Sequence, residues 1–364
     1  MAAKPGGTQG RQRRQQRDDR ITAGAAELER RLADALGPGL AEAAADPRSL
    51  SEPAARMVDA QAPGLAARLR ELATIPSSGP DWPDRLLEEY ALLHLLAVGY
   101  GRLGALPAPL AATVSTRVGR PTPTAEVLAT GPRLRDRWLV LGRTETGEGP
   151  PRQPQQSQSQ PAAQRPGARQ STAQRPTAQQ SPHRLTARRT WLLGRSSGRI
   201  ALLLAYAGPG RPMPGPLLPV GRELAAEVAY YPSALPLRAV LADPAEPIAE
   251  DAADAGPPPG RSLTEALADY TAALAADPWT DRIPVVLREV VCRPGPEGWL
   301  ITEPTGARSV PVDGRYAVDT GLWRLTAVGA GRPLTVFGEL GHRGFAPVTC
   351  WARHPEPSPV PVHR

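Results

Sequence analysis

Residues 194–198 spell Gly194-Arg195-Ser196-Ser197-Gly198, the Gly-x-Ser-x-Gly pattern of many hydrolases. In those enzymes the serine sits on a sharp turn between a strand and a helix, which exposes its hydroxyl to a base. Here the apolar run 199–206 follows and reads as a second strand, so a polar hairpin turn is the better reading. Cys292, His342, Cys350 and His354 carry the thiols and imidazoles that zinc prefers. Cys350 and His354 are tolerably spaced, but no second close pair completes the four ligands of a tetrahedral site. A buried cysteine on a strand and exposed histidines are expected instead. His94 lies among Leu92, Leu93, Leu95 and Leu96 and reads as a packed or partly exposed helical residue. Glu250, Asp251 and Asp254 form an acidic cluster without the Gly and Glu spacing of a calcium loop, and read as a solvated loop. A phosphate-binding P-loop needs a Gly-Lys pair, and Lys4 is the sole lysine. These readings assign no catalytic, cofactor-binding or metal-binding residue.

The elements that would position such groups fall into two regimes. Ile21, Ala25, Leu28, Leu32 and Leu36 recur at helical spacing, and Gly37-Pro38-Gly39 ends that helix. Further helices carry Ala54, Met57, Val58, Leu65, Leu69 and Leu72, with Pro63 as a break. Then come Leu86, Leu87, Tyr90, Leu93, Ala97 and Tyr100, and lastly Leu110, Val114 and Val118. From Arg135 onward short apolar runs alternate with Gly and Pro, the pattern of a small antiparallel sheet or barrel. Strands are predicted at 137–142, 188–194, 199–206, 225–231, 237–241, 285–292, 298–303, 315–318, 322–328, 334–340 and 347–352. One helix interrupts them, opened by the capping box Ser262-Leu263-Thr264-Glu265 and ended at Asp277-Pro278. Trp138, Trp191, Trp299, Trp323 and Trp351 all fall in predicted strands. Core packing is their main reading, with an aromatic peptide-binding face as the alternative.

The fold class is therefore α+β: an N-terminal helical domain, then a mostly antiparallel β-rich domain with one inserted helix. The expected divisions are a disordered basic tail at 1–20, a helical domain at 21–125 and a β-rich domain at 130–352. A disordered low-complexity loop at 143–187 interrupts the β-rich domain, and a disordered tail at 353–364 follows it. The net charge is +7 over 364 residues, but its location decides its meaning. Residues 1–20 carry six basic and two acidic side chains, and residues 151–190 carry seven arginines and no acid. The remainder is mildly acidic, which argues against a basic groove built for nucleic acid. The two arginine-rich segments could touch phosphates only non-specifically. The N-terminus lacks the apolar core of a secretory signal, and no run reaches the ~20 apolar residues of a membrane span. With two cysteines, a soluble cytoplasmic protein with free thiols is expected.

Ala55-Arg56-Met57-Val58-Asp59-Ala60-Gln61-Ala62-Pro63-Gly64-Leu65-Ala66 resembles the helical region of bacterial SWIM zinc finger family proteins. Arg135-Asp136-Arg137-Trp138-Leu139-Val140-Leu141-Gly142, the segment Arg189-Thr190-Trp191-Leu192, and Tyr230-Tyr231-Pro232-Ser233-Ala234-Leu235-Pro236-Leu237-Arg238-Ala239 resemble the same family in the same order, so the likeness spans roughly residues 10–350. These are framework residues. The family's zinc site has the form Cys-x-Cys…Cys-x-His. This chain has no such motif and no cysteine before Cys292, so zinc is implied only for members that keep the finger. The chain looks like a finger-less fragment, a diverged form, or the product of a misplaced start at Met1. The resemblance further implies a protein partner in a system with a MoxR-type AAA+ ATPase and a von Willebrand A-type protein.

The function expected from this is a non-catalytic protein-interaction module. The alternative is a nucleic-acid-associated protein whose finger is lost or lies upstream of the called start. Residues 150–186 hold little that could be buried. Their deletion is expected to leave the thermal midpoint nearly unchanged by differential scanning calorimetry; a fall of many degrees would refute the loop assignment.

Overall fold

The computed structural model describes residues 6–37, 39, 48–79, 81–147, 185–242, 256–296, 298–314, 321–351 and 358–362. Its helical part comprises α1 (Gly6–Asp34), α2 (Arg48–Asp59), α3 (Pro63–Leu72), α4 (Trp82–Gly101) and α5 (Ala108–Val118). The predicted stripe of α1 is buried at Ile21, Ala25, Leu28 and Leu32, whereas Leu36 lies past the helix end and is exposed. Met57, Leu65, Leu69, Leu86, Tyr90, Leu93, Val114 and Val118 fill the same core. The Tyr90 hydroxyl donates to the Leu32 carbonyl at 2.9 Å, so α4 is fastened to α1 by a satisfied polar group inside an apolar interface.

The start of α1 corrects one expectation. Residues 6–20 are helical, not a disordered tail. Their Gln and Arg residues are good helix formers, and two contacts hold the segment against the end of α5. The Arg17 guanidinium donates to the Gly119 carbonyl at 3.1 Å, and Arg120 pairs with Asp18 at 3.0 Å. Pro63 does break the second helical stretch: it opens α3 after Gln61, whose φ is 61°. Beside it, Gly64 packs against the backbone of Arg117 and Val118 so closely that a Cβ would overlap the Arg117 carbonyl.

A short helix, α6 (Thr124–Thr130), leads into a closed five-stranded barrel of β1 (Arg133–Gly147), β2 (Thr186–Gly194), β3 (Ile200–Ala207), β4 (Glu223–Tyr230) and β5 (Arg238–Leu241). Their spatial order is β1-β2-β3-β5-β4, with β3 and β5 parallel and the other pairs antiparallel. Long β1 closes the barrel by pairing β2 on one side and β4 on the other. Trp138, Val140, Leu192, Ala201, Ala226, Val228 and Tyr230 fill it, and the Trp138 indole donates to the Ala226 carbonyl at 3.0 Å.

The remaining elements make a second β unit. Helix α7 (Leu263–Ala276) precedes β6 (Arg282–Gly295), β7 (Gly298–Thr302) and β8 (Ser309–Pro311); then come α8 (Gly321–Gly329), β9 (Leu334–Gly341), β10 (Gly344–Trp351) and β11 (Pro359–Pro361). The sheet order is β11-β10-β9-β6-β7-β8, and a parallel bridge from Val312 to Phe345 curls the β8 edge back towards β10. The capping box at α7 forms as predicted: Glu265 N–H donates to Ser262 Oγ, and Ser262 N–H to Glu265 Oε2 at 2.7 Å.

The α+β class is as expected, and the β-rich part divides further than the sequence suggested. It is two sheets with separate cores. It also holds a second inserted helix, because the stretch predicted as strand 322–328 is α8. There Leu322 and Leu325 are buried three residues apart while Trp323 is exposed, which is helical and not alternating spacing. Residues 143–147 and 186–187, expected in the loop, extend β1 and β2, and 359–361, expected in the tail, pair with β10 as β11. Residues 148–184 of the loop and the predicted strand 315–318 lie outside the described residues. We expect Gly64→Ala to destabilise the protein by at least ~1–3 kcal/mol, since the new methyl group meets backbone that cannot yield. A urea midpoint within error of wild type would contradict that contact.

Candidate functional site

The Gly-x-Ser-x-Gly segment is a hairpin turn between β2 and β3, as its flanking strands require. Against it lies a buried anion. Asp136 on β1 accepts backbone N–H groups from Arg137 at 2.7 Å, Ser196 at 3.2 Å and Ser197 at 2.9 Å. Burial opposes its charge, but the Ser197 hydroxyl and these three N–H groups outweigh burial and hold its pKa below the usual range. Around it Glu223 binds two arginines, Arg137 and Arg195, at 2.6 and 2.7 Å. Arg199 stacks over the Tyr230 ring at 4.6 Å. The cluster has the chemistry of a turn anchor: its carboxylate accepts three backbone N–H groups and the Ser197 hydroxyl.

Among the described residues, the sulfur and imidazole candidates are not arranged as a metal site. Cys292 on β6 and Cys350 on β10 are both buried, and burial pushes their thiols up to about 11 and about 12. The Cys350 thiol points to the Val360 carbonyl at 3.6 Å. His342 lies in the β9–β10 turn, where its Nε2 accepts from Arg343 at 3.1 Å. His94 is half-buried on α4. His354, Glu250, Asp251 and Asp254 lie outside the described residues. Among the described residues, no group of three or more His, Cys, Asp or Glu side chains is arranged to hold a metal ion.

The tryptophans divide by environment. Trp138, Trp191 and Trp351 are buried on strands, as predicted. Trp323 sits on α8, 67% exposed, with its ring edge-on to Trp299 at 5.0 Å. On α4, Leu87, Ala91 and Leu95 recur every four residues on an exposed face, with the two leucines 54% and 43% exposed. Among the described residues no helix is long and apolar enough to cross a membrane.

Sequence reasoning placed no functional weight on Trp279, which lies in the turn after α7. It is 4% exposed and packs within the core of the helical part. A tryptophan just after a Pro-terminated helix, outside any alternating strand, was the available signal.

The charged turn offers a test through acidity. Asp136→Asn should cost ~1–3 kcal/mol by weakening the acceptor for three N–H groups. A carboxylate whose native pKa is depressed stabilises the fold fully above its unfolded value of about 3.9. That stabilisation is lost as the pH falls through the lower native value. The variant should therefore lose stability at pH 7 and show a shallower loss in acid than wild type, measured by urea titration at successive pH values. Equal acid limbs would refute the assignment.

Residues 16–118 match the family model of the SWIM-associated four-helix bundle domain. No curated protein and no solved structure matches the chain. The matched span begins inside α1 and ends on the last residue of α5, so the match covers the helical core as the structure delimits it. Over residues 16–118 the helical part of this chain is thus similar to the SWIM-associated four-helix bundle domain.

Proposed function

We propose that the chain is a non-catalytic interaction module of the cytoplasm that binds a protein partner through its helical bundle. The observation that carries this reading is the exposed row Leu87–Ala91–Leu95 on α4 of a bundle similar to the SWIM-associated domain. A recurring apolar row on a surface helix offers the anchors of a helix-in-groove or helix-on-helix contact. The chemistry elsewhere supports binding over catalysis: the hairpin carboxylate accepts from backbone and hydroxyl donors, and both thiols are buried with raised pKa. The partner we infer is a MoxR-type AAA+ ATPase acting with a von Willebrand A-type protein, which rests on the family resemblance. The nucleic-acid reading draws on the exposed Arg13 and Arg20 of α1.

Titrating the purified full chain against a MoxR-type ATPase of the same genome, by biolayer interferometry, tests both readings. Binding is expected to vary little with salt and to weaken by at least ~tenfold in Leu95→Asp, a loss of about 1.4 kcal/mol. No binding, or binding indifferent to Leu95→Asp, would remove this surface from the proposal. Affinity for duplex DNA that collapses between low and moderate salt would favour phosphate contacts instead.

A further inference from the structure

The four-residue turn Asp277–Thr280, between α7 and β6, belongs by sequence to the second β unit and by packing to the helical bundle. Trp279 is grouped with Leu93, Leu96, Ala97 and Val114 in the bundle core. Its indole N–H donates to the Leu92 carbonyl of α4 at 2.8 Å. Gly99, about two turns further along α4, faces the ring: a Cβ there would sit 3.8 Å from it, in ordinary van der Waals contact. At the rim, Arg117 of α5 pairs with Asp277 at 2.9 Å, and the Asp277 side chain is only 6% exposed.

The turn is held in shape from its own side. The other Asp277 oxygen accepts the Trp279 N–H at 3.0 Å, and the Asp277 carbonyl accepts from Thr280 at 3.1 Å. The Tyr270 hydroxyl of α7 reaches the Thr280 carbonyl at 3.4 Å and accepts the His342 N–H at 3.2 Å. The plug is thus pre-shaped by one unit and seated in another.

We propose that this turn is a latch: the second β unit completes the bundle core with Trp279, and the two parts behave as one cooperative body only while the turn is seated. A buried apolar contact, Val127 of α6 with Ala229 and Tyr231, joins the helical side to the barrel and not to the second β unit; the polar bridges from the helical side are weaker in kind. They include the Ala234 N–H to Thr113 Oγ1 at 2.9 Å, Thr124 to the Tyr231 hydroxyl at 2.8 Å, and the rim pair Arg343–Glu89 at 3.9 Å. Single hydrogen bonds and partly exposed ion pairs exchange readily with water. A buried tryptophan removes far more apolar surface from solvent.

The test follows thermal unfolding of the full chain with two probes at once, far-ultraviolet circular dichroism for helix and near-ultraviolet circular dichroism for the buried aromatic residues of the β units. Wild type should give coincident midpoints, the mark of one cooperative unit. Trp279→Ala should separate them by roughly 10 °C, with the helical signal lost first. Trp279→Phe keeps a ring in the slot and should lower the midpoint without separating the probes. Trp323→Ala, at an exposed site, should leave both unchanged. Coincident midpoints in Trp279→Ala, or an equal separation in Trp323→Ala, would overturn the latch. If Trp279→Ala does not fold, Arg117→Gln decides in its place: separated midpoints support the proposal and coincident ones refute it.

Discussion

Strand β1 has no solvent face over four consecutive residues. Trp138, Leu139, Val140 and Leu141 are all fully buried. Side chains of a strand alternate, and here each set meets a different core. Trp138 and Val140 point into the barrel, while Leu139 and Leu141 pack with Trp191, Phe337, Val348 and Trp351 in the interface with the second sheet. Burying each aliphatic side chain contributes about 1.5–3 kcal/mol, so one short segment holds both β units to their positions. An ion pair crosses that interface, from Arg189 of β2 to Glu339 of β9 at 2.7 Å, and Arg282 of β6 reaches the same carboxylate from within the second sheet at 3.6 Å. Asp136 ties the β2–β3 hairpin turn to this strand, which β2 pairs directly.

The residues that carry the resemblance to SWIM zinc finger proteins now have physical reasons. Met57, Ala62, Leu65 and Ala66 are core of the bundle, and Gly64 permits the closest backbone approach between α3 and α5. Trp138 and Trp191 lie on opposite sides of the barrel wall, one in its interior and one between the sheets. Tyr230 fills the barrel, and Tyr231 packs with Val127 of α6 where the bundle hands over to the sheet. These positions preserve a scaffold. They are silent about what the scaffold holds.

Much of this was legible from periodicity. The helical stripes of α1, α3, α4 and α5, the break at Pro63 and the capping box of α7 follow from spacing and caps that act within a few residues. The start of α1 was not legible, because its order depends on Arg17 and Asp18 reaching residues about a hundred positions away. Helix α8 was hidden because Gly321–Gly329 is short and rich in residues that suit either state, and only its packing decides. The division into two sheets was equally hidden: a run such as Trp138–Leu141 shows that both faces are buried, not that they face separate cores. Of the candidate chemistry, the hairpin reading of 194–198 could be made from its flanks. Trp279 could be noticed from its place just after a Pro-terminated helix, but nothing local says which core a turn residue enters.

Helix α1 runs for 29 residues, and its side chains are tied down at Arg17 and Asp18 against the end of α5. At about 1.5 Å per residue the helix is roughly 43 Å long. A helix anchored in this way acts as a shaft with a defined angular phase. Whatever is joined ahead of it, in continuous helix, inherits that phase, and each inserted residue turns it by about 100° around the axis. Direction and rotation of an attached module would thus be set by residue number, in the manner of an indexed gear.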